Sequence, residues 1–196
     1  MNLPNKLTML RVILIPFFVA CMLLSLDGQT VAACRDVLSP DFVRMRYLAF
    51  ILFVIASLTD FLDGQIARRC NLVTNFGKFM DPLADKLLVC SALILFTAEG
   101  ALPAWYVIII IAREFVISGF RLVASDAGIV IAASMWGKWK TTVQIILCIV
   151  LILPKLPLLL GSAIVGLISL VAILLTIISL ADYMYKNIGV ITKGGM

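Results

Sequence analysis

The sequence contains no histidine, and only 14% of its 196 residues are charged. The absence of imidazole excludes a Ser-His-Asp triad and a His-ligated zinc site. A soluble domain usually has about 25% charged and about 45–50% apolar residues. Because 63% of this chain is apolar, it cannot bury that surface in a water-soluble globule of its size, and a bilayer must solvate much of it. A soluble enzyme, a disordered chain and a secreted disulfide scaffold are thereby excluded.

The five cysteines form no CxxC pair, and we interpret them as small buried hydrophobic residues: Cys21, Cys34, Cys70, Cys90 and Cys148. The formal net charge is +5. In a chain this apolar, the excess indicates lysine and arginine side chains near anionic lipid on the cytoplasmic side of a membrane, not a nucleic-acid partner.

Six apolar segments are long enough to predict membrane-spanning helices, since a bilayer core of about 30 Å needs about 20 mostly apolar helical residues. They lie near residues 9–26, 46–59, 81–98, 102–124, 141–153 and 158–183. The second is expected to continue as helix into the polar stretch that follows it. The fifth is expected to end at Pro154 and Pro157. No cleavable signal peptide is expected, because the N-terminus lacks a small-residue cleavage site. We therefore predict an all-α, polytopic membrane protein in which residues 1–196 form one domain.

The distribution of basic residues predicts that both chain ends face the cytoplasm. Basic residues occur at the N-terminus, between spans two and three, between spans four and five, and after span six: Lys6, Arg11, Arg68, Arg69, Lys78, Lys138, Lys140, Lys186 and Lys193. The connection at 99–103 has none. The segment at 27–45 has mixed charge, and it is long enough to form a loop or a short extracytoplasmic helix.

Charged residues within or beside the apolar spans indicate a functional site, because an ionised side chain there costs a few kcal/mol or more. They are Asp60, Asp63, Asp81, Asp85, Lys86, Arg113, Glu114 and Arg121. Positions 60 and 63 share one face of a helix, and positions 81 and 85 share one face of the next. A polar turn at 68–78 would make the two helices antiparallel neighbours, with both pairs at the cytoplasmic end.

This arrangement predicts a site for hard divalent cations, because four carboxylates offer only oxygen ligands and suit Mg²⁺, Mn²⁺ or Ca²⁺. Two ions about 4 Å apart are a familiar arrangement for phosphoryl chemistry. Gly64, Ala67 and Gly77 keep the adjacent helix surface small, which leaves room for a substrate phosphate. The alternative is a structural network in which the acids pair with nearby bases: Arg68, Arg69, Lys78 and Lys86.

The segment reads Asp60-x2-Asp63-Gly64-x2-Ala67-Arg68-x8-Gly77-x3-Asp81-x3-Asp85. At all of these positions it matches the motif of the CDP-alcohol phosphotransferase family, and the chain thus resembles members of that family. The resemblance implies a six-helix integral membrane enzyme, usually a homodimer, with two bound divalent ions, Mg²⁺ or Mn²⁺. It also implies a bacterial inner-membrane protein whose active site faces the cytoplasm.

The reaction that the resemblance implies is transfer of the phosphatidyl group of CDP-diacylglycerol to an alcohol hydroxyl, with CMP leaving. The implied metal ligands are Asp60, Asp63, Asp81 and Asp85, and Asp85 is also the expected general base. The implied CDP-lipid site consists of Asn5, Asp63, Gly64, Ala67, Arg68 and Gly77. Among these residues, Arg68 supplies a planar donor fork suited to phosphate oxygens.

Three further segments resemble family members whose acceptor is sn-glycerol 3-phosphate and whose product is phosphatidylglycerophosphate. These segments lie at 2–11, at 112–115 with Arg121, and at 137–141. Such an acceptor needs a cationic pocket, for which the candidates are Arg113, Arg121, Lys138 and Lys140. The two lysines could instead be ordinary membrane anchors, and Arg113 could instead pair with Glu114. We interpret the aromatic residues Trp136, Trp139, Tyr183 and Tyr185 as interfacial side chains. The segment at 27–44 matches no pattern.

Two other functions fit parts of the sequence. Relatives with the same chemistry use inositol phosphate, serine or phosphatidylglycerol as the acceptor, and the basic candidates argue only against serine. A divalent-cation transporter would also place carboxylates in the membrane. It would need polar residues across the whole bilayer, however, whereas spans five and six are almost wholly apolar.

Overall fold

Six α-helices make up the secondary structure in a computed structural model that describes residues 3–30, 40–70, 75–126 and 134–193. They are α1 (Leu3–Thr30), α2 (Pro40–Cys70), α3 (Asn75–Ala98), α4 (Ala104–Asp126), α5 (Met135–Ile152) and α6 (Leu156–Lys193). Within these ranges there is no strand. The prediction of an all-α chain is confirmed for the described residues, and each described helix contains most or all of one of the six apolar segments.

The helices extend beyond the apolar segments that predicted them. Most of the expected polar turn at 68–78 is helical, because α2 continues to Cys70 and α3 begins at Asn75. The mixed segment at 27–45 is likewise helical at both ends, in α1 and α2, and its middle at 31–39 lies outside the described residues. The backbone needs no apolar side chains to form helical hydrogen bonds, so hydropathy marks the lipid-solvated part of a helix rather than its ends.

The two prolines after α5 have different roles. The helix ends at Ile152, ahead of Pro154, as predicted. Pro157 instead lies in the first turn of α6, where the proline's missing N–H costs no helical hydrogen bond. Farther along, α6 is interrupted at Gly161, whose φ of 77° is a conformation that glycine adopts easily.

Four of the described helices contain stretches long and apolar enough to cross a membrane: Thr8–Ser25, Phe42–Thr59, Met135–Ile152 and Leu159–Asn187. Helix α3 contributes a shorter apolar stretch, Lys86–Ala98. Large apolar side chains are exposed along these helices and along α4, among them Phe17, Ile108 and Leu167. A water-soluble protein rarely exposes so much contiguous apolar surface, so the pattern is typical of lipid-facing helices.

The chain forms two compact units. The first comprises Met1–Ala101 and Cys148–Leu159, and the second comprises Leu102–Leu147 and Leu160–Met196. In the first unit, α1 packs against α2 and α3, and α2 and α3 contact each other. Phe18 of α1 and Phe53 of α2 have ring centroids 5.8 Å apart, and both are fully buried with Leu93 and Phe96 of α3. That residues 1–196 form one membrane domain stays a prediction.

A buried ion pair joins α2 to the end of α3 within the first unit. Nη2 of Arg46 lies 2.5 Å from Oε2 of Glu99, and both side chains are buried. The guanidinium also contacts Sδ of Met22 on α1 at 3.4 Å and lies 5.3 Å from the ring centroid of Phe42. The pair therefore connects α1, α2 and the end of α3.

In the second unit, polar contacts join α6 to α4 and α5. The hydroxyl of Tyr106 donates to the backbone oxygen of Ser169 over 3.1 Å, which links α4 to α6. At the other end of α6, Ser134 donates to Oδ2 of Asp182 over 2.7 Å, so that the residue preceding α5 is held on α6. These contacts position the polar cluster described below.

Candidate functional site

The aspartate pair of α2 continues a buried stripe of that helix. Ala49, Phe53 and Ala56 are fully buried and are spaced by four and then three residues. Positions 60 and 63 extend this alternation by a further four and three residues within the same helix. An alternation of this kind follows one face of a helix. By helical register, positions 60 and 63 thus follow the same face of α2 as these three residues.

The aspartate pair of α3 has the same relation to its own helix. Leu88, Ala92 and Leu95 are buried and are also spaced by four and three residues. Positions 81 and 85 precede them at the same intervals. Because α2 and α3 are in contact, the predicted neighbouring helices are present, and each carries its acidic pair in register with a buried face.

The side chains of the motif lie outside the described residues, as do those of Asn5 and the other CDP-lipid candidates. The backbone nevertheless places Asn5 in α1, positions 60 to 68 in α2, and positions 77 to 85 in α3. The donor set contains only carboxylate oxygens, which fits a hard cation and excludes a soft-metal site. The ligand roles and the CDP-lipid contacts stay predictions.

A cluster of buried charged side chains joins the three helices of the second unit. Nη1 of Arg113 lies 2.8 Å from Oε1 of Glu114 on α4. The same oxygen accepts a hydrogen bond from Nζ of Lys140 on α5, and Arg113 donates through Nη2 to the hydroxyl of Ser179 on α6. Arg113 is 8% exposed and Lys140 is 2% exposed. We call these four residues, Arg113, Glu114, Lys140 and Ser179, the α4–α6 charge cluster.

The surroundings of the cluster are close-packed and polar. A Cβ added at Gly137 would lie 3.5 Å from Nη2 of Arg113, so α5 passes close to the guanidinium where it has no side chain. Gln144 follows Lys140 by one turn and Tyr183 follows Ser179 by one turn, and both are buried. Three polar atoms here are buried without a hydrogen-bond partner: Nε of Arg113, Nε2 of Gln144 and the hydroxyl of Tyr183.

These unpartnered atoms belong to side chains that helix geometry directs toward the cluster. Side chains in an α-helix tilt toward its N-terminus and cover the preceding turn. The amide of Gln144 is therefore expected near the turn of Lys140, and the hydroxyl of Tyr183 near that of Ser179. Buried polar atoms in proteins almost always have a partner, so unpartnered atoms on three helices around one charged cluster are consistent with a polar ligand.

The structure brings together two of the four predicted acceptor-phosphate residues. Arg113 and Lys140 meet at Glu114, so the alternative pairing of Arg113 with Glu114 is present as well. Arg121 and Lys138 are exposed, and among the described residues neither forms an ion pair with the cluster. The assignment of all four to an acceptor site stays a prediction.

Some features of this region differ from the sequence expectation or were missed by it. Tyr183 is buried, with its ring edge-to-face against Phe120 at 6.1 Å, so its interpretation as an interfacial aromatic was wrong. Trp136, Trp139 and Tyr185 are exposed as expected. Ser179 and Gln144 were not predicted, because one serine or glutamine in an apolar helix has no local signal for a partner on another helix.

Comparison with known proteins decides the family. A model of the CDP-alcohol phosphatidyltransferase family matches residues 1–181. The chain belongs to this family. The resemblance read from the motif at 60–85 is thereby confirmed over most of the chain, including the part that contains the α4–α6 charge cluster.

Several members of the family are similar to the chain over most of its length. A Bacillus subtilis protein named CDP-diacylglycerol--glycerol-3-phosphate 3-phosphatidyltransferase is 47% identical, over 95% of this chain and 95% of its own length. A Haemophilus influenzae protein of the same name is 40% identical, over 74% of this chain and 72% of its own length. A Mycobacterium tuberculosis protein named probable phosphatidylglycerophosphate synthase is 38% identical, over 94% of this chain and 81% of its own length.

Proposed function

We propose that the chain transfers the phosphatidyl group of CDP-diacylglycerol to sn-glycerol 3-phosphate, giving phosphatidylglycerophosphate and CMP. The observation that carries the proposal is the 47% identity, over 95% of both chains, to a relative named for this activity. Two features of this chain support it: the complete motif at 60–85, and the buried pair of cations on α4 and α5. The motif would bind the CDP-activated lipid donor, and the cations would bind the phosphate of the acceptor.

The donor site is proposed at α2 and α3. Asp60, Asp63, Asp81 and Asp85 would hold two divalent ions, Mg²⁺ or Mn²⁺. When bound, the ions would neutralise the pyrophosphate of the donor and the negative charge of the departing CMP. Their register with the buried faces of two contacting helices supports this assignment. Arg68, with Asn5, Gly64, Ala67 and Gly77, would bind the nucleotide and its phosphates.

The bond changes follow from the two substrates. Asp85 would accept the proton of the attacking glycerol hydroxyl as its oxygen bonds to the phosphorus of the phosphatidyl group. The bond from that phosphorus to the CMP oxygen breaks, and CMP leaves with the bonding electron pair. The acceptor phosphate does not react. Four cationic side chains would bind the acceptor phosphate and so orient the attacking hydroxyl: Arg113, Arg121, Lys138 and Lys140.

The proposed setting is the bacterial inner membrane. All six helices would cross it, with both chain ends and the metal site at the cytoplasmic face, and two chains would form a homodimer. The distribution of basic residues supports this orientation. The membrane would deliver the lipid donor from the side, and the cytoplasm would deliver the soluble acceptor and receive CMP.

An acceptor panel tests the proposal. Purified protein would be incubated with CDP-diacylglycerol and Mg²⁺ or Mn²⁺, and CMP release would be measured with sn-glycerol 3-phosphate, inositol phosphate, serine or phosphatidylglycerol. We expect CMP release with sn-glycerol 3-phosphate, abolished by EDTA and restored by added metal. Preferential use of another alcohol would refute the acceptor assignment. Metal-dependent flux into vesicles without CMP release would instead favour the transporter.

A further inference from the structure

One carboxylate oxygen in the α4–α6 charge cluster is shared by two cations. Oε1 of Glu114 accepts from Nη1 of Arg113, its neighbour on α4, and from Nζ of Lys140 on α5. Two donors bonded to one acceptor lie within about 6 Å of each other, twice the length of a hydrogen bond. Glu114 therefore determines how close the two cationic groups stand.

The two cations would not keep this arrangement by themselves. Both side chains are more than nine-tenths buried, and like charges at short range repel strongly where little water screens them. Ser179 also accepts from Arg113, but a neutral hydroxyl does not offset charge. Within the cluster, Glu114 supplies the only negative charge.

The cluster contains two cations for one carboxylate, and one of its donors is unused. Arg113 and Lys140 both bond the same oxygen of Glu114. Nε of Arg113 is buried without a hydrogen-bond partner, although a guanidinium in the protein interior normally pairs its donors. Both features suit an anionic ligand, and a phosphate monoester supplies several acceptor oxygens and at least one negative charge.

We infer that Glu114 is a positioning residue of the acceptor site: by holding Arg113 and Lys140 side by side, it makes them a joint binding site for the phosphate of the acceptor. The inference rests on the proposed function and extends it from the cations to the carboxylate that arranges them. Glu114 itself does not contact the phosphate, because two anionic groups repel.

The test is a variant series at position 114 with kinetics for both substrates. E114D keeps the charge with a shorter reach, E114Q keeps an acceptor oxygen without the charge, and E114A keeps neither. We expect the KM for sn-glycerol 3-phosphate to rise in that order, by about 10- to 100-fold for E114A, which is the effect of losing a hydrogen bond to a charged group. The KM for CDP-diacylglycerol should change less than about threefold throughout.

Glu99 provides a matched control. It is also a buried glutamate paired with an arginine, but it lies in the first unit. E99Q removes the charge that pairs with Arg46 and should lower stability, but it should leave the KM for sn-glycerol 3-phosphate unchanged. If E114Q fails to fold while E99Q folds, Glu114 has a structural role and the inference is wrong. Equal KM increases for both substrates, or an unchanged acceptor KM in E114A, would also overturn it.

The wild-type protein separates this inference from the proposed function. If it releases no CMP with sn-glycerol 3-phosphate but does so with inositol phosphate, the proposed acceptor is wrong, and the same variants are then tested with inositol phosphate. If it uses sn-glycerol 3-phosphate normally and the E114 series shows no acceptor-specific effect, the inference alone fails.

Discussion

Replacing the Arg46–Glu99 pair should show that this buried ion pair is costly to break but not needed for stability. Its charged atoms lie 2.5 Å apart, and the side chains are only 6% and 7% exposed. Either partner left alone would be an uncompensated buried charge, which costs about 3–5 kcal/mol. R46M and E99L are therefore each expected to lower the free energy of unfolding by about that amount. Methionine keeps much of the contact with Met22 and Phe42.

The double variant R46M/E99L should behave differently. Burial raises the pKa of the Glu99 carboxyl above its usual range, and Arg46 opposes this effect only in part. Desolvation thus outweighs the attraction between the partners. Nε of Arg46 and Oε1 of Glu99 also lack hydrogen-bond partners. Replacing a buried pair by apolar residues is often neutral or stabilising by about 1–4 kcal/mol, so we expect R46M/E99L to be at least as stable as the wild type.

The assay is equilibrium unfolding of the four proteins in one detergent, with CMP release as a check of the native state. Additive effects, with R46M/E99L the least stable protein, would show that the attraction between Arg46 and Glu99 outweighs their desolvation. The pH dependence adds a second check. Because the folded-state pKa of Glu99 is raised, its contribution to stability is greatest below its unfolded pKa of about 4.3 and is lost as the pH rises through the folded pKa. The stability of the wild type relative to R46M/E99L should therefore fall over that range.

Five other substitutions test the remaining assignments. Asp85→Asn should abolish CMP release with CDP-diacylglycerol binding retained; near-normal turnover would remove Asp85 from its role as base. Arg121→Ala should raise the KM for sn-glycerol 3-phosphate more than that for the lipid, and equal effects would argue against a phosphate contact. Gly137→Ala should be tolerated, because its Cβ would lie at ordinary contact distance from Arg113. Gly137→Val should instead raise the KM for the acceptor. Equal activity of the two variants would contradict the close approach of α5 to the Arg113 guanidinium. Tyr183→Phe removes a buried hydroxyl without a partner and should leave thermal stability unchanged or higher; a loss above about 1 kcal/mol would reveal a missed hydrogen bond.

The fold was predictable because lipid imposes a simple rule on sequence. Each helix that crosses a bilayer needs a long apolar run, and four of the described helices contain one of sufficient length. The ends of the helices were less predictable. Residues such as Arg68 and Lys78 are too polar for the bilayer interior, yet they lie in α2 and α3, because the helical backbone continues beyond the lipid. Polarity at these two positions therefore predicted a turn where the structure has helix.

The two parts of the candidate site differ in how they could be found. The aspartate motif is local: its spacing fixes which positions share a helix face, and that register agrees with the buried faces of α2 and α3. The α4–α6 charge cluster depends on contacts between distant segments. The bond from Arg113 to Ser179 spans 66 positions, and the bond from Lys140 to Glu114 spans 26. No short-range pattern encodes such contacts, so sequence reasoning selected the cations and the adjacent Glu114 but not the contacts of Lys140 with Glu114 and of Arg113 with Ser179.

Charge balance separates the two buried ionic clusters by role. Arg46 and Glu99 form a pair of one cation and one anion, so the pair is neutral and needs no charged ligand. Arg113 and Lys140 instead share one carboxylate, and Arg113 retains an unpartnered guanidinium donor. Charged side chains inside a membrane protein are costly and usually mark a functional site. The neutral pair should therefore be replaceable by apolar residues with activity retained. Loss of Glu114 should instead weaken acceptor binding, because Arg113 and Lys140 would no longer be held side by side.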